Sequence, residues 1–378
     1  MYLIALLTIF AAMLVIVAVA LGIPALPVSE QASRQSKLQQ LENWLERLHA
    51  RGTFQGVVLL AKNGQTVFGK GYGCADSQHK QPLTTMSSFN LASVSKQFTA
   101  AGIMLLKHQG KLSYADELQR VIPELSCYRG ISIRHLLTHT SGLPDYFAIA
   151  MAGLDKNETV TTEKLIRLYG EQQPKVRFTP GEKFEYNNMG YVLLAEIIAR
   201  VSGKSFADYM FESFFHPLGM KHSRVFNLLS GEEPENRVFG FKRQFFLFGR
   251  KKLCDLNRFD GVAGDGGIYA SAEDLLIWHQ ALLSGRVLPV SELDEAYRSA
   301  VLNDGTETGY GFGWSIKGEG AMEHAGGWQG FATYLHRDLA SDTLIIVLDN
   351  TCNILRVSSN GRTYNSIPLN LQRFLQRF

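Results

Sequence analysis

Ser93 and Lys96 stand three residues apart in the stretch Asn90-Leu91-Ala92-Ser93-Val94-Ser95-Lys96-Gln97-Phe98-Thr99-Ala100-Ala101-Gly102-Ile103-Met104-Leu105-Leu106. Side chains at i and i+3 of a helix share a face, and a serine hydroxyl becomes a useful nucleophile when a neighbouring base takes its proton. A second Ser-x-x-Lys, Ser77-Gln78-His79-Lys80, lies in a polar stretch without apolar periodicity. Behind Ser93, by contrast, Phe98, Ala101, Met104 and Leu105 are spaced as one buried helix face. Only Ser93 is therefore expected at a rigid helix N-terminus, where free backbone N–H groups and the helix dipole favour an oxyanion forming at an attacked carbonyl. The chemistry this pair suits is acyl transfer through a covalent serine intermediate.

Two further stretches could complete such a site. Pro180-Gly181-Glu182-Lys183-Phe184-Glu185-Tyr186-Asn187-Asn188-Met189-Gly190-Tyr191 places a Tyr and an Asn two apart in a turn that enters a helix. A phenolate at Tyr186 would be favoured by an adjacent ammonium such as Lys96; the plainer reading is a packing tyrosine followed by an N-cap at Asn188. Glu323-His324-Ala325-Gly326-Gly327-Trp328-Gln329-Gly330-Phe331 precedes a strand-like run. Its glycines allow close backbone approach to a ligand, and an N–H there could complete an oxyanion hole; the plainer reading is a tight turn. His108-Gln109-Gly110 repeats the His-x-Gly pattern but reads as a helix C-terminus.

The elements that must position these residues can be read around them. Leu38, Leu41, Leu45 and Leu48 fall at helical spacing, with Gly52 beyond them as a helix stop. Residues 56–62 and 65–70 read as strands joined by Asn63-Gly64, the dipeptide that suits a two-residue hairpin. At the other end, 310–316, 331–337 and 343–349 read as strands, and Leu371, Phe374, Leu375 and Phe378 as one helix face. The two ends are expected to combine into a five-stranded antiparallel sheet flanked by terminal helices, an α/β fold of the α+β type. A helical lobe over about 75–299 is inserted between the sheet halves. It includes helices at 133–140, 188–202 and 271–284, the last opened by Ser271 and Asp274 as a capping box. The expected sheet lobe covers about 38–74 and 300–378.

Composition narrows the classes. At 378 residues and 46 % hydrophobic content, the chain can bury a large core. Its 38 basic and 35 acidic residues leave a net +3, which points to no nucleic-acid partner. Cys74, Cys127, Cys254 and Cys352 are far apart, without zinc-finger or Cys-x-x-Cys spacing. Residues 1–28 carry no charge, and the apolar run 3–21 is either a membrane-spanning anchor or a cleaved signal peptide, with residues 29–37 as a polar linker to the 38–378 domain. Either way the body is expected on the non-cytoplasmic side, held to a membrane if the segment stays. In 237–253, phenylalanines alternate with Lys and Arg, as in a hairpin edging a cleft or a patch touching an anionic membrane.

Taken in order, the three elements around Ser93, Tyr186 and His324 resemble the serine β-lactamase and penicillin-binding protein family, in its class C-like branch of carboxypeptidases, β-lactamases and esterases. Arg134-His135-Leu136-Leu137-Thr138-His139-Thr140-Ser141-Gly142-Leu143-Pro144, Gly266-Gly267-Ile268-Tyr269-Ala270-Ser271 and Tyr310-Gly311-Phe312-Gly313-Trp314 carry the resemblance further. It implies Ser93 as nucleophile, Lys96 and Tyr186 as the proton-handling pair and Asn188 as hydrogen-bonding partner of Lys96 and substrate. It also implies an oxyanion hole from the N–H groups of Ser93 and Gly327, and substrate contacts at His324, Ala325 and Gly326. The penicillin-recognising members carry Lys-Thr/Ser-Gly where this chain has His324-Ala325-Gly326, so a substrate without a carboxylate at that spot, a small ester, amide or peptide, is expected over a β-lactam. No cofactor and no metal is implied. The remaining alternatives are a ligand sensor on the same fold that acylates without turning over, and a metal site at His135 and His139, which lacks both the Glu of a His-Glu-x-x-His site and a third ligand.

Overall fold

Asn63 and Gly64 both hold positive φ (52° and 69°), which closes a two-residue turn between strands β1 (Gly56–Lys62) and β2 (Gln65–Tyr72), with Lys62 opposite Gln65. The structure is a computed structural model that describes residues 23–27, 31–76, 81–229, 232–243, 251–352 and 367–378. The apolar run 3–21, the second Ser-x-x-Lys at 77–80 and Phe245, Phe246, Phe248 and Arg250 lie outside the described residues. Among the described residues no helix is long and apolar enough to cross a membrane.

The main sheet continues with β3 (Ser315–Gly318), β4 (Ala321–Trp328), β5 (Phe331–Asp338) and β6 (Thr343–Asp349). Its order is β2-β1-β6-β5-β4-β3, antiparallel at every pairing. The two ends of the chain meet where β1 pairs β6, from Gly56 opposite Asp349 to Lys62 opposite Thr343. Both central strands are buried along nearly their whole length, which is why they read as continuous apolar runs. Helix Ala272–Leu283 packs on β1 and β6.

Six strands rather than five result from one segment. The stretch holding His324, Ala325 and Gly326, expected ahead of a strand-like run, is itself strand β4, in register with β5 from Phe331 opposite Trp328 to Asp338 opposite Ala321. Its glycines have poor strand propensity, and pairing overrides propensity there. The expected strand at 310–316 begins only at Ser315, because Gly311 N–H closes a turn onto the Trp314 carbonyl.

The inserted region is not wholly helical. It carries a three-stranded sheet of Phe89–Asn90, Ile268–Ala270 and Arg224–Val225, and a hairpin of Phe241–Arg243 with Lys251–Leu253. Its helices Lys96–His108 and Asn188–Ser202 pack on one another. The helix expected over 133–140 stops at Leu137, and His139 turns the chain with φ 58°. Ser271 caps the next expected helix by accepting from Asp274 N–H at 3.0 Å. The Asp274 carboxylate instead accepts from His222 N–H (2.8 Å) and Ser223 Oγ (2.7 Å), so the reciprocal half of the capping box is not made.

The described residues of 1–55 and 353–378 form a compact unit apart from 56–352. In it, helix Arg34–Ala50, capped by Ser33, buries Leu41, Trp44, Leu45 and Leu48, and helix Ile367–Gln376 buries Leu371, Phe374 and Leu375. Leu26 N–H donates to Asn370 Oδ1 (2.8 Å), which joins the two ends within this unit, and Trp44 Nε1 donates to the Pro24 carbonyl (2.9 Å).

Candidate active site

Ser93 lies in a tight 3₁₀ turn, Ala92–Ser95, that feeds directly into helix Lys96–His108. The turn is strained at Ala92, a non-glycine residue at φ 48°, and Asn90 Oδ1 fixes it by accepting from Ala92 N–H at 2.8 Å. Ser95 and Thr99, one and two turns into the element, hold the loop opposite. Ile268 N–H donates to Ser95 Oγ (3.3 Å), and Thr99 Oγ1 donates to the Gly264 carbonyl (2.7 Å).

Lys96 is fully buried, with 0 % exposure, so each of its three N–H donors needs an acceptor. Three are present: Ser93 Oγ at 3.2 Å, Asn188 Oδ1 at 3.0 Å and the Asp265 carbonyl at 2.8 Å. The Tyr186 ring face stands 4.9 Å from Lys96 Nζ and that of Tyr191 5.5 Å. These rings add cation–π attraction in place of water. The structure thus gathers Ser93, Lys96, Tyr186 and Asn188 around one ammonium. Gly313, at φ 78°, lets the Tyr310-to-Trp314 turn press on this helix start, since a Cβ there would lie 2.8 Å from the Gln97 backbone.

Asn187, not Asn188, caps helix Asn188–Ser202, accepting from Gly190 N–H at 2.9 Å. Asn188 is freed for another task. Its N–H and Nδ2 both donate to Asp145 Oδ2, at 2.8 and 3.1 Å. With the amide nitrogen so engaged, the oxygen must face Lys96. Asp145, which sequence reasoning missed, belongs to the quoted 134–144 stretch only as its next residue. Its one legible signal is the N-cap of helix Tyr146–Gly153, whose Phe147 N–H it accepts at 3.4 Å.

Strand β4 runs against the nucleophile turn, and Gly326 is the reason it can. A Cβ at Gly326 would fall 2.3 Å from the Leu91 carbonyl oxygen and 3.0 Å from Ser93 N. Gly327, the next residue, is exposed and lines the same cavity as Ser93. The two N–H groups expected to form an oxyanion hole therefore come from neighbouring backbones.

His324 departs from its expected place. It is 4 % exposed and is not part of the cavity wall. Nδ1–H donates to the Ala325 carbonyl (2.8 Å), so Nε2 accepts from the Tyr310 hydroxyl (2.9 Å). Burial, reinforced by Lys96, pulls its pKa down to about 3. A neutral, fully engaged imidazole cannot receive a substrate carboxylate as a cation. Ala325 is exposed and Gly326 buried, and on this strand the cavity wall takes Gly327 and Trp328, not the expected 324–326.

His135 and His139 each make a structural hydrogen bond. His135 Nδ1 accepts from Ser132 N–H at 3.1 Å, closing a capping box. His139 Nδ1 accepts from Asn187 N–H at 3.1 Å, and its ring packs 4.3 Å from Tyr186. Burial holds its pKa well below the usual histidine value, so it is a neutral platform for Tyr186.

The cavity measures about 310 Å³, at the small end for a ligand site. Besides Ser93, Asn188 and Gly327, its wall includes Tyr146, Phe147, Phe259, Asp260, Asp265 and Trp328. Tyr186, 38 % exposed, stands at this cavity too.

Residues 41–353 match the family model described as Beta-lactamase. The chain is 35% identical over 330 residues to penicillin-binding protein 4* of Bacillus subtilis (strain 168), covering 84% of this chain and 72% of that protein. It is 28% identical to the putative penicillin-binding protein PbpX of the same organism, over 89% of this chain and 80% of that one. The crystal structure of a penicillin-binding protein from Bacillus halodurans superposes with a TM-score of 0.68 at 26% identity, covering 81% of this chain and 94% of that chain.

Proposed function

The chain belongs to the beta-lactamase family, and from that premise we propose that it is a serine hydrolase that works through an acyl-enzyme on Ser93, with small esters or amides as substrates. The observation that carries this reading is Lys96 Nζ at 3.2 Å from Ser93 Oγ, buried and held from behind by Asn188 and the Asp265 carbonyl.

In this mechanism Ser93 Oγ attacks the substrate carbonyl carbon while its proton passes to the Lys96 and Tyr186 pair. The carbonyl oxygen takes the negative charge between the N–H groups of Ser93 and Gly327. Collapse of that intermediate expels the leaving group, which receives the proton, and leaves the acyl group on Ser93. Water then attacks the ester, the same pair takes its proton, and Ser93 is restored.

The substrate class rests on β4. With His324 neutral and buried and Ala325 lacking a hydroxyl, that strand supplies neither of the groups that Lys-Thr/Ser-Gly would offer a carboxylate. Penicillin binding, for which the two Bacillus subtilis relatives are named, is the second reading: the same arrangement around Ser93 would acylate and turn over slowly. Residues 3–21 would carry the body to the non-cytoplasmic side of a membrane, whether later cleaved or kept.

A serine-reactive aryl phosphonate, followed by mass mapping, tests the reading. The label is expected on Ser93 and absent in Ser93→Ala; labelling that survives Ser93→Ala and is lost in Ser95→Ala would overturn it. Hydrolysis of a short-chain aryl ester is expected to exceed that of a chromogenic cephalosporin, and the opposite order together with a long-lived penicillin adduct would favour the second reading. Full-length protein in the soluble cytoplasm on fractionation would end the assignment of location.

A further inference from the structure

The cavity beside Ser93 contains a carboxylate that, among the described residues, pairs with no cation. Asp260 is only 8 % exposed, and the exposed part lies in the cavity wall. Two donors reach it: Trp328 Nε1 to Oδ1 at 2.6 Å and Asn257 N–H to Oδ2 at 2.6 Å. An ionised carboxylate offers about four acceptor positions, so two stay open.

Of the nearby cations among the described residues, Arg258, two residues before it, lies against the Phe259 ring at 5.3 Å and makes no bond to Asp260. Lys96 spends its three N–H groups on Ser93, Asn188 and the Asp265 carbonyl. Arg237 is bound to Asp255 and Glu233. No Lys or Arg belongs to the cavity wall among the described residues, whereas Asp265 does. A buried carboxylate without a counter-ion is costly to a fold, and such a cost persists where a ligand repays it.

The surroundings of Asp260 suit one kind of ligand. Phe259 and Phe147 pack 5.3 Å apart and Phe147 and Trp328 5.8 Å apart, all three in the wall. Ammonium groups are attracted to aromatic faces as well as to carboxylates. Position in the chain ties this corner to the reaction centre. Trp328, which donates to Asp260, directly follows Gly327 on β4, so their Cα atoms are about 3.8 Å apart.

We propose that Asp260 selects substrates bearing a cationic amine close to the scissile carbonyl, with Phe147, Phe259 and Trp328 covering the carbon skeleton beside it. The proposal rests on the serine hydrolase reading and names its substrate class: amino acid esters and amides, or the N-terminal residue of a short peptide. Asp260 is a specificity residue in this scheme, and it takes no part in proton transfer.

The test uses the p-nitrophenyl esters of D- and L-phenylalanine against p-nitrophenyl 3-phenylpropanoate, which differs by the amine alone. Each kcat/KM is divided by the uncatalysed rate, with Ser93→Ala as blank. Wild type is expected to prefer at least one amino ester by about ten- to a hundredfold, the worth of one charge-assisted contact. In Asp260→Asn, which keeps the shape, that ratio is expected to fall to within about threefold of unity. A measurement on wild type alone guards against misfolding of the variant: benzylamine should inhibit hydrolysis of the phenylpropanoate ester at least about tenfold more strongly than benzyl alcohol. Hydrolysis of the phenylpropanoate ester with no preference for the amine, and equal inhibition by the two benzyl compounds, would overturn this proposal and leave the hydrolase reading standing. No hydrolysis of any ester and no phosphonate label on Ser93 would overturn both.

Discussion

Asn188 gives both its backbone N–H and its Nδ2 to a single oxygen of Asp145, and by doing so turns its own Oδ1 to Lys96. An amide can present either end to an ammonium; here a second residue decides which. Asp145→Ala removes that decision. We expect kcat to fall by about ten- to a hundredfold, the loss of one charge-assisted hydrogen bond, with KM changed much less. An equal fall from a rise in KM alone would mean that Asp145 shapes the cavity instead of aiming Asn188.

In the proposed mechanism Lys96 and Tyr186 share one proton path, so their effects should not add. Lys96→Ala and Tyr186→Phe are each expected to cost about a thousandfold or more in kcat, and the double variant little beyond the worse single one. Additive losses across that cycle would separate the two residues and break the mechanism.

His324 should be silent in the pH profile of activity. Held neutral with a pKa near 3, it cannot produce an acid limb near 6.5, and replacing it by Gln should leave the limb where it is. Its effect belongs in stability. The unfolded chain protonates this histidine below about 6.5 and the folded chain does not, so the fold loses stability as pH falls from 7 toward 4. Thermal melts should show a smaller acid loss in His324→Gln than in wild type. An equal loss would mean that the imidazole charges inside the fold.

Asp260 has the opposite sign. Burial, with Asp255 and Asp265 nearby, raises its pKa from 3.8 to about 6, against the lowering effect of the Asn257 and Trp328 donors. The folded state therefore binds its proton more tightly than the unfolded state, and stability from this group is present below about pH 4 and lost as pH rises through 6. Comparing wild type with Asp260→Asn cancels the hydrogen bond that Asn cannot make at either pH. The stability difference should shift toward the variant by up to about 3 kcal/mol between pH 4 and pH 8. A difference that does not move with pH would show that the carboxylate titrates as it does in water.

What could be read in the chain, and what could not, follows from the range of the forces involved. The Asn63-Gly64 hairpin, the helix from Asn188 with its stop at Gly203 and the apolar face behind Ser93 are local patterns, and the fold repeats them. The meeting of Ser93, Lys96, Tyr186 and Asn188 followed from order and resemblance. Strand β4 was hidden because glycines paired by their neighbours look like a loop. Asp145 and Asp260 were hidden for another reason: an aspartate at a turn is common, and only tertiary partners 43 and 68 positions away give these two their roles.

The burial of His324 also bears on which relatives this chain could become. Substituting Lys at 324 and Thr at 325 would write Lys-Thr-Gly into β4, yet the slot at 324 is closed by the Tyr310 hydroxyl on one side and the Ala325 carbonyl on the other. An ammonium placed there would be desolvated beside the like charge of Lys96. Tyr310 would have to leave first, and its ring also packs on His139 and Phe184. A mutational path from this site to one that grips carboxylates thus passes through intermediates with a loosened wall behind Tyr186, so the two kinds of site are separated by a stability valley and not by two codons.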